Sequence, residues 1–234
     1  MLEQLKKELK EQENPEQAKH LSKFFKTGKG EYAEGDIFLG IKVPIQRNIA
    51  KKYLNLSLNE LQELLNSKIH EHRLIALVIL LNKYKKAKKN NLEKRQIFEF
   101  YLKNTERINN WDLVDISAPN IVGDFLIKEN SDLLRDLAKS KNLWERRIAI
   151  VSTHALIRKR NFGETLVVSE MLMNDEHDLI HKAVGWMLRE VGKRNKNILE
   201  LFLTQRHKQM PRTMLRYAIE KFPEDERKKW MKKD

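Results

Sequence analysis

An indole and a carboxylate are separated by four positions in the stretch Asn109–Pro119, which contains Trp111 and Asp115. If the stretch is helical, residues i and i+4 share one face, and the two side chains lie side by side. Such a pair suits the stabilisation of positive charge that develops on a bound group. The alternative is that Trp111 is a core residue and Asp115 a cap. A mid-helix position weakens the capping interpretation, because an acidic group there usually has a functional or ion-pair partner.

Two consecutive arginines open another predicted helix, in the segment LWERRIA at 143–149. Positive charge in the first turns of a helix opposes the helix dipole, so Arg146 and Arg147 require a compensating anion. That anion is either a bound phosphate or a carboxylate of the protein, with Glu145 and Asp112 as candidates. The pattern therefore predicts either a nucleic-acid contact or an internal salt bridge.

A second indole and further basic residues lie in the segment KAVGWMLRE at 182–190. Gly185 leaves the helix surface bare beside Trp186, which suits close approach of a ligand or of a neighbouring helix. Lys182 and Arg189 flank the indole, and Arg189 shares its face. The alternative for Trp186 is a packing role between repeats.

Arg212 and Arg216 are also spaced at i and i+4, which would form a phosphate-binding pair on a concave face. The alternative for this pair is a solvated helix face. His177 and His181 have the same spacing, but the glutamate that follows the first histidine in zinc-protease helices is missing. We therefore expect no metal site and no cofactor.

The composition favours a helical protein with a polyanionic partner. The chain has 234 residues, a net charge of +13, and only 8 glycines and 5 prolines, which favours helices joined by short turns. The positive excess predicts nucleic acid ahead of a membrane surface as partner, the alternative being a surface charged for solubility. With no cysteines, the chain has no disulfide, thiolate metal site or cysteine nucleophile.

No apolar signal core begins the chain, and no apolar run approaches the roughly 18 residues that span a bilayer. We therefore expect a cytoplasmic protein without a membrane partner.

Helical periodicity recurs along the chain in pairs. Buried-type alanines at 149, 183 and 218 are spaced by 34 and 35 positions, and Ala76 precedes Ala149 by 73. A helix-pair repeat of about 35–40 residues predicts an all-α solenoid, curved, with inner helices on a basic concave face. An irregular helical bundle is the alternative. We expect one domain over 1–234, with helices that start near 44 and 57 and others at 2–13, 16–26, 71–84, 92–104, 111–127, 131–139, 143–160, 164–173, 178–193, 197–204 and 210–222.

The end of the second predicted helix carries two adjacent aromatics, Phe24 and Phe25, which we expect to face inward with Ala18 and Leu21. The glycine-rich segment 27–36 that follows lacks the spacing of a phosphate-binding P-loop.

Four segments in order carry a resemblance to a known family: GDIFLGIKVPIQRNIAK (35–51), NNWDLVDISAPNIVGDFL (109–126), NLWERRIAIV (142–151) and DLIHKAVGWMLREVGK (178–193). With them the chain resembles the AlkD-type DNA alkylation repair glycosylases, which are built from HEAT-like repeats. The resemblance matches the family's catalytic aspartate to Asp115 and its phosphate-facing arginine to Arg147. The two tryptophans that cradle the sugar of the damaged nucleotide match Trp111 and Trp186. Some members carry a second aromatic where this chain has Asn110.

The resemblance implies a monofunctional glycosylase of base excision repair. Such an enzyme hydrolyses the N-glycosidic bond of cationic alkylated purines, such as 3-methyladenine and 7-methylguanine, without flipping the lesion into a pocket. The implied partner is double-stranded DNA containing alkylated bases, bound by a monomer. Two other functional hypotheses remain: a helical repeat protein that binds DNA or RNA without catalysis, and a protein-scaffolding repeat.

Overall fold

The computed structural model describes residues 1–88 and 90–232. Over these residues the regular structure is helical, and β-pairing is limited to one isolated parallel bridge between Ile37 and Ile69. The all-α prediction is confirmed. By contacts the chain divides into two compact units, Met1–Ser117 and Ala118–Asp234. Within the described part of the chain, no helix is long and apolar enough to cross a membrane.

The first unit is organised around one long buried helix, α5 (His70–Ala87). Residues from His70 to Leu80 on α5 are all buried, as the apolar sequence of this segment predicts for an inner helix. Helix α5 packs against α3, α4, α6 and α7. The helices of this unit are α1 (Leu2–Glu11), α2 (Pro15–Phe24), α3 (Val43–Lys52), α4 (Leu58–Leu65), α5 (His70–Ala87), α6 (Asn91–Lys103), a 3-10 turn (Thr105–Arg107) and α7 (Trp111–Ser117).

Helix starts in this unit follow local capping chemistry. The Asn14 side chain accepts a hydrogen bond from the Gln17 amide at 2.9 Å, and Pro15 occupies the first helical position of α2. Ser57 and Glu60 form a reciprocal capping box at the start of α4. These caps satisfy amides that have no partner within the helix.

The second unit is built on two helices that pack against each other, α10 (Leu143–Arg158) and α12 (Asp178–Arg194). Helix α10 also contacts α9 and α11, while α12 contacts α13 and α14. The elements of this unit are a π-helical turn (Pro119–Gly123), α8 (Asp124–Leu126), α9 (Asp132–Ala138), α10 (Leu143–Arg158), α11 (Gly163–Met171), α12 (Asp178–Arg194), α13 (Lys196–Arg206), α14 (Arg212–Ala218) and α15 (Glu224–Met231).

The alanine spacing corresponds to successive packed helices. Ala149, Ala183 and Ala218 lie on α10, α12 and α14, and all three are buried. Gly185 lets α12 and α14 approach each other closely. An added Cβ at this position would lie 2.5 Å from the Met214 carbonyl oxygen and 2.5 Å from the Tyr217 Cβ. The paired-helix order predicted from the periodicity is therefore found in this unit.

Three local predictions differ from the structure. The single helix expected at 111–127 is interrupted at Pro119, where the Gly123 amide bonds to the Ala118 carbonyl at 2.9 Å in a π-type turn. Helix α15 is not among the predicted helices. Phe24 does not face inward as the sequence predicts: its side chain is 57% exposed. Adjacent helical residues point about 100° apart, so only Phe25 of the pair is buried.

Candidate functional site

Helix α7 carries the indole and the carboxylate on one partly exposed face. Trp111 is its first residue and Asp115 lies one turn on, and both side chains are half-buried. The opposite face is buried through Leu113, Val114 and Ser117. The predicted side-by-side placement on a helix is therefore present.

A buried hydroxyl chain lies behind this helix. The Tyr101 and Ser117 hydroxyl oxygens are 2.9 Å apart, and Ser117 donates to the Leu113 carbonyl at 2.5 Å. Burial raises the pKa of Tyr101, and the Asp115 charge acts in the same direction while the Ser117 contact opposes it. Tyr101 therefore stays protonated and donates to Ser117, which ties the inner face of α7 to α6.

Two phenylalanines from the end of α2 surround Trp111. The Phe25 ring stacks on the indole with centroids 5.2 Å apart, and Phe24 meets it edge-on at 5.9 Å. Phe25 also stacks on Phe38 at 5.1 Å. Phe24 is the exposed member of this cluster. Phe24 is not among the predicted site residues, although two adjacent aromatics at a helix end indicate that one of them points outward.

A buried charge network lies beneath the aromatic cluster. His70, at the start of α5, has its Nε2 2.8 Å from Asp112 Oδ2 and its Nδ1 3.4 Å from Asp36 Oδ2. Arg73 donates to the same Asp36 oxygen at 2.6 Å. Burial lowers the pKa of His70, but Asp112 and Asp36 outweigh burial and raise it to about 9. The ring is therefore an imidazolium at neutral pH. Because its partners lie 34 and 42 positions away, no local sequence signal marks it.

The neighbouring carboxylate, Glu71, holds an irregular segment by its backbone. It is 1% exposed and accepts hydrogen bonds from the amides of Leu39 (2.9 Å), Gly40 (2.8 Å) and Ile41 (3.2 Å). Gly40 has φ +83°, and a Cβ there would lie 2.2 Å from the Asn14 carbonyl oxygen. Only glycine fits this crossing of the segment against α2.

In the second unit, the two arginines in the first turns of α10 have partners within the protein. Arg146 donates to Asp175 at 2.6 Å, so an internal carboxylate compensates it, though neither Glu145 nor Asp112 supplies that group. Arg147 is 5% exposed and donates to the Leu179 carbonyl at 2.6 Å. Its guanidinium thus reaches the first turn of α12.

Trp186 lies half-buried on α12 beside a neutral histidine. Its ring centroid is 6.0 Å from that of His154, whose pKa is lowered by burial and by Arg158. Of its flanking cations, Lys182 pairs with Asp178 at 2.6 Å and Arg189 pairs with Glu220. The close approach predicted at Gly185 is to α14.

The two arginines of α14 differ in their surroundings. Arg212 donates to the Met231 carbonyl at 2.5 Å, while Arg216 is exposed and lines a cavity of about 630 Å³ between α14 and α15. A smaller cavity of about 140 Å³ has a basic lining, of which only Arg189 is among the predicted site residues. Its charged lining residues are Arg189, Lys193, Lys196 and Lys221.

A sequence model described as "DNA alkylation repair enzyme" matches residues 5–222 of the chain. No curated protein matches it.

Several solved structures share the fold. One, described as a predicted DNA alkylation repair enzyme from Enterococcus faecalis, superposes with a TM-score of 0.69 at 20% identity, covering 91% of this chain and 98% of the other. AlkD2 from Streptococcus mutans gives 0.56 at 18% identity, covering 89% and 98%. The structure of smu.31 from Streptococcus mutans UA159 gives 0.54 at 18% identity, covering 75% and 89%.

Proposed function

The chain belongs to the DNA alkylation repair enzyme family, and from that premise we propose that it is a DNA glycosylase that releases cationic alkylated purines such as 3-methyladenine and 7-methylguanine. The observation that carries the proposal is the pairing of Trp111 and Asp115 on the partly exposed face of α7.

The proposed reaction is hydrolysis of the N-glycosidic bond. An alkylated purine is already positively charged, so it leaves with the bonding electron pair as a neutral base and needs no general acid. Departure leaves cationic character on the deoxyribose. The Asp115 carboxylate stabilises that charge where it develops and orients the water that attacks C1′, whose released proton passes to solvent. No cofactor takes part in this scheme.

The aromatic residues suit a cationic sugar. An indole face attracts positive charge through its quadrupole, by about 0.5–2 kcal/mol depending on exposure. Phe25 behind Trp111 fixes the plane of the ring, since the two stack at 5.2 Å. We propose the same role for Trp186, on the resemblance of its segment to the family motif.

Asp112 is the other carboxylate of this helix, and its surroundings assign it a different role. One of its oxygens is 2.8 Å from His70 and the other accepts from the Leu113 amide at 2.8 Å. A carboxylate so held is not available to a sugar cation.

We propose that six cations of the second unit bind the DNA backbone: Arg146, Arg147, Lys182, Arg189, Arg212 and Arg216. Phosphate contacts position the duplex without reading its sequence. Arg216 is exposed, and Lys182 and Arg189 are held by carboxylates that a phosphate could replace. Holding the duplex by its backbone is compatible with cleavage of a lesion that is not flipped into a pocket.

The test is release of bases from methylated double-stranded DNA, separated by chromatography under single-turnover conditions. We expect Asp115→Asn to slow release of 7-methylguanine by at least about 100-fold, because the variant keeps the shape and loses the charge. Its affinity for DNA should stay within about twofold of the original, because no phosphate contact changes.

The matched control is Asp136→Asn, an equal change at an exposed aspartate on α9. It should release bases at the original rate. Release by Asp115→Asn at that rate would refute the catalytic assignment. If the protein without substitutions binds DNA in a salt-sensitive way but releases no base from methylated DNA, a non-enzymatic nucleic-acid-binding repeat protein is favoured.

A further inference from the structure

We propose that His70 is a positioning residue for base release: bridged between Asp36 and Asp112, it holds the first turn of α7, and with it Trp111 and Asp115. The activity part of this inference rests on the proposed function, whereas the structural part does not.

Both ring nitrogens of His70 face carboxylates. Nε2 lies 2.8 Å from Asp112 and Nδ1 lies 3.4 Å from Asp36, and the ring is 2% exposed. A neutral imidazole has one donor, so two carboxylate partners require the doubly protonated ring. The pKa of His70, raised to about 9 by Asp112 and Asp36 against the opposing effects of burial and Arg73, agrees with this geometry.

The bridge fixes the start of α7 through Asp112. That carboxylate is held on one side by His70 and on the other by the Leu113 amide, directly after Trp111. Asp36 is fixed in turn by Arg73, which also donates to the Ser67 carbonyl at 2.8 Å. The helix start is thereby anchored to α5 and to the segment before α3.

The same imidazole also supports the aromatic side of Trp111. It stacks on Phe38 with centroids 4.6 Å apart and lies 5.2 Å from Phe25, on which the indole stacks. His70 therefore contacts two residues that hold Trp111 in place: Asp112, the next residue on α7, and Phe25, on which the indole stacks.

The first test does not depend on enzymatic activity. In an NMR titration of the seven histidines of the folded chain, one imidazole should titrate near pH 9. Asp112→Asn should lower that value by more than one unit. A His70 signal that titrates near 6.5 overturns the bridge.

The second test monitors the indole NMR signal of Trp111. His70→Gln keeps hydrogen-bonding groups and loses the charge. It should shift or broaden the indole ¹H–¹⁵N signal of Trp111 while leaving the other three tryptophan signals in place. An unchanged Trp111 signal overturns positioning. If His70→Gln fails to fold, Asp112→Asn breaks the same link from α7 and takes its place.

The third test measures function. His70→Gln should lower the single-turnover rate of 7-methylguanine release at least tenfold and change the DNA dissociation constant less than twofold. The double variant with Asp112→Asn should be no slower than the slower single variant, because both remove one link. Additive losses, or a DNA-binding defect equal to the rate defect, would contradict positioning.

The matched control is His72→Gln, a change at a buried histidine two residues on. His72 is bonded to Ser67 at 3.0 Å, and burial lowers its pKa to about 4, so it is neutral. It should retain the original rate and the Trp111 signal. If the original protein releases no base, the proposed function fails, while the titration and the indole signal still decide the bridge.

Discussion

At the scale of single residues, four consecutive side chains at the start of α5 each reach a different group. His70 binds Asp36 and Asp112, Glu71 binds backbone amides, His72 binds Ser67, and Arg73 binds Asp36. Burying a charge is costly unless it is paired, and burying a neutral polar group is costly unless it is hydrogen-bonded, so each of these groups depends on its partners being in place. This cluster therefore couples α5 to segments distant in sequence.

The His70 pKa makes stability depend on pH. Its folded value, about 9, exceeds the ordinary 6.5, so protonation favours the folded state. The contribution is fully present below pH 6.5 and lost as pH rises through 9, and amounts to about 3 kcal/mol. Urea unfolding at pH 6.5, 8 and 9.5 should show this decline, and His70→Gln should remove most of it. An equal decline in that variant would assign the effect elsewhere.

The sequence predicts part of this site and misses the rest for a physical reason. The spacing of Trp111 and Asp115 predicts a shared helix face because helical geometry is local. The partners of His70 come together only through tertiary packing, so periodicity does not reveal them. The inward prediction for Phe24 is wrong because hydrophobicity alone does not say which of two adjacent aromatics is buried.

At the scale of elements, helix order and most boundaries follow from the sequence. Caps such as Ser57 and prolines such as Pro15 act within one turn, so their effects are visible locally. The break at Pro119 has a local cause as well, yet the chain resumes as a π turn, which depends on packing. Gly123 lies so close to α10 that a Cβ would meet the Ser152 carbonyl oxygen at 2.1 Å.

Gly185 tests how closely α12 and α14 must pack. An added methyl would lie 2.5 Å from the Met214 carbonyl oxygen, and backbone yields poorly, so Gly185→Ala should destabilise the protein by about 2–3 kcal/mol. The control is Gly163→Ala on α11, where a Cβ meets nothing within 4 Å, and it should be neutral or stabilising by about 0.5–1 kcal/mol. Thermal unfolding distinguishes them. Equal melting temperatures would show that α14 can move aside freely.

At the scale of the whole molecule, net charge is the property most directly given by the sequence. A charge of +13 on 234 residues predicts association with a polyanion. Composition cannot say which cations face the partner, and the structure shows many of them paired with internal acceptors. The division between Ser117 and Ala118 falls inside the motif stretch 109–126, where composition marks no boundary.

Binding to undamaged duplex DNA should weaken steeply with salt, because each phosphate contact releases counterions. Arg216→Ala should reduce the slope of log affinity against log salt by about 0.9 if Arg216 binds a phosphate. Arg206→Ala serves as control, an equal change at an arginine outside the proposed set of DNA-binding cations, held by both oxygens of Glu170 at 2.9 Å. Fluorescence anisotropy at several salt concentrations measures both. The same slope for both variants would remove Arg216 from the interface.

The Glu71 carboxylate has a consequence for dynamics in the segment 39–41. This segment is outside any helix, yet its three amides donate to a buried acceptor, and its Leu39 and Ile41 carbonyls accept from Asn14 and Gln46. Hydrogen–deuterium exchange there should be as slow as in α5, since both require the same opening. Glu71→Gln should accelerate exchange at Leu39, Gly40 and Ile41 first. A strand-like run without a sheet would then be among the most rigid backbone of its unit.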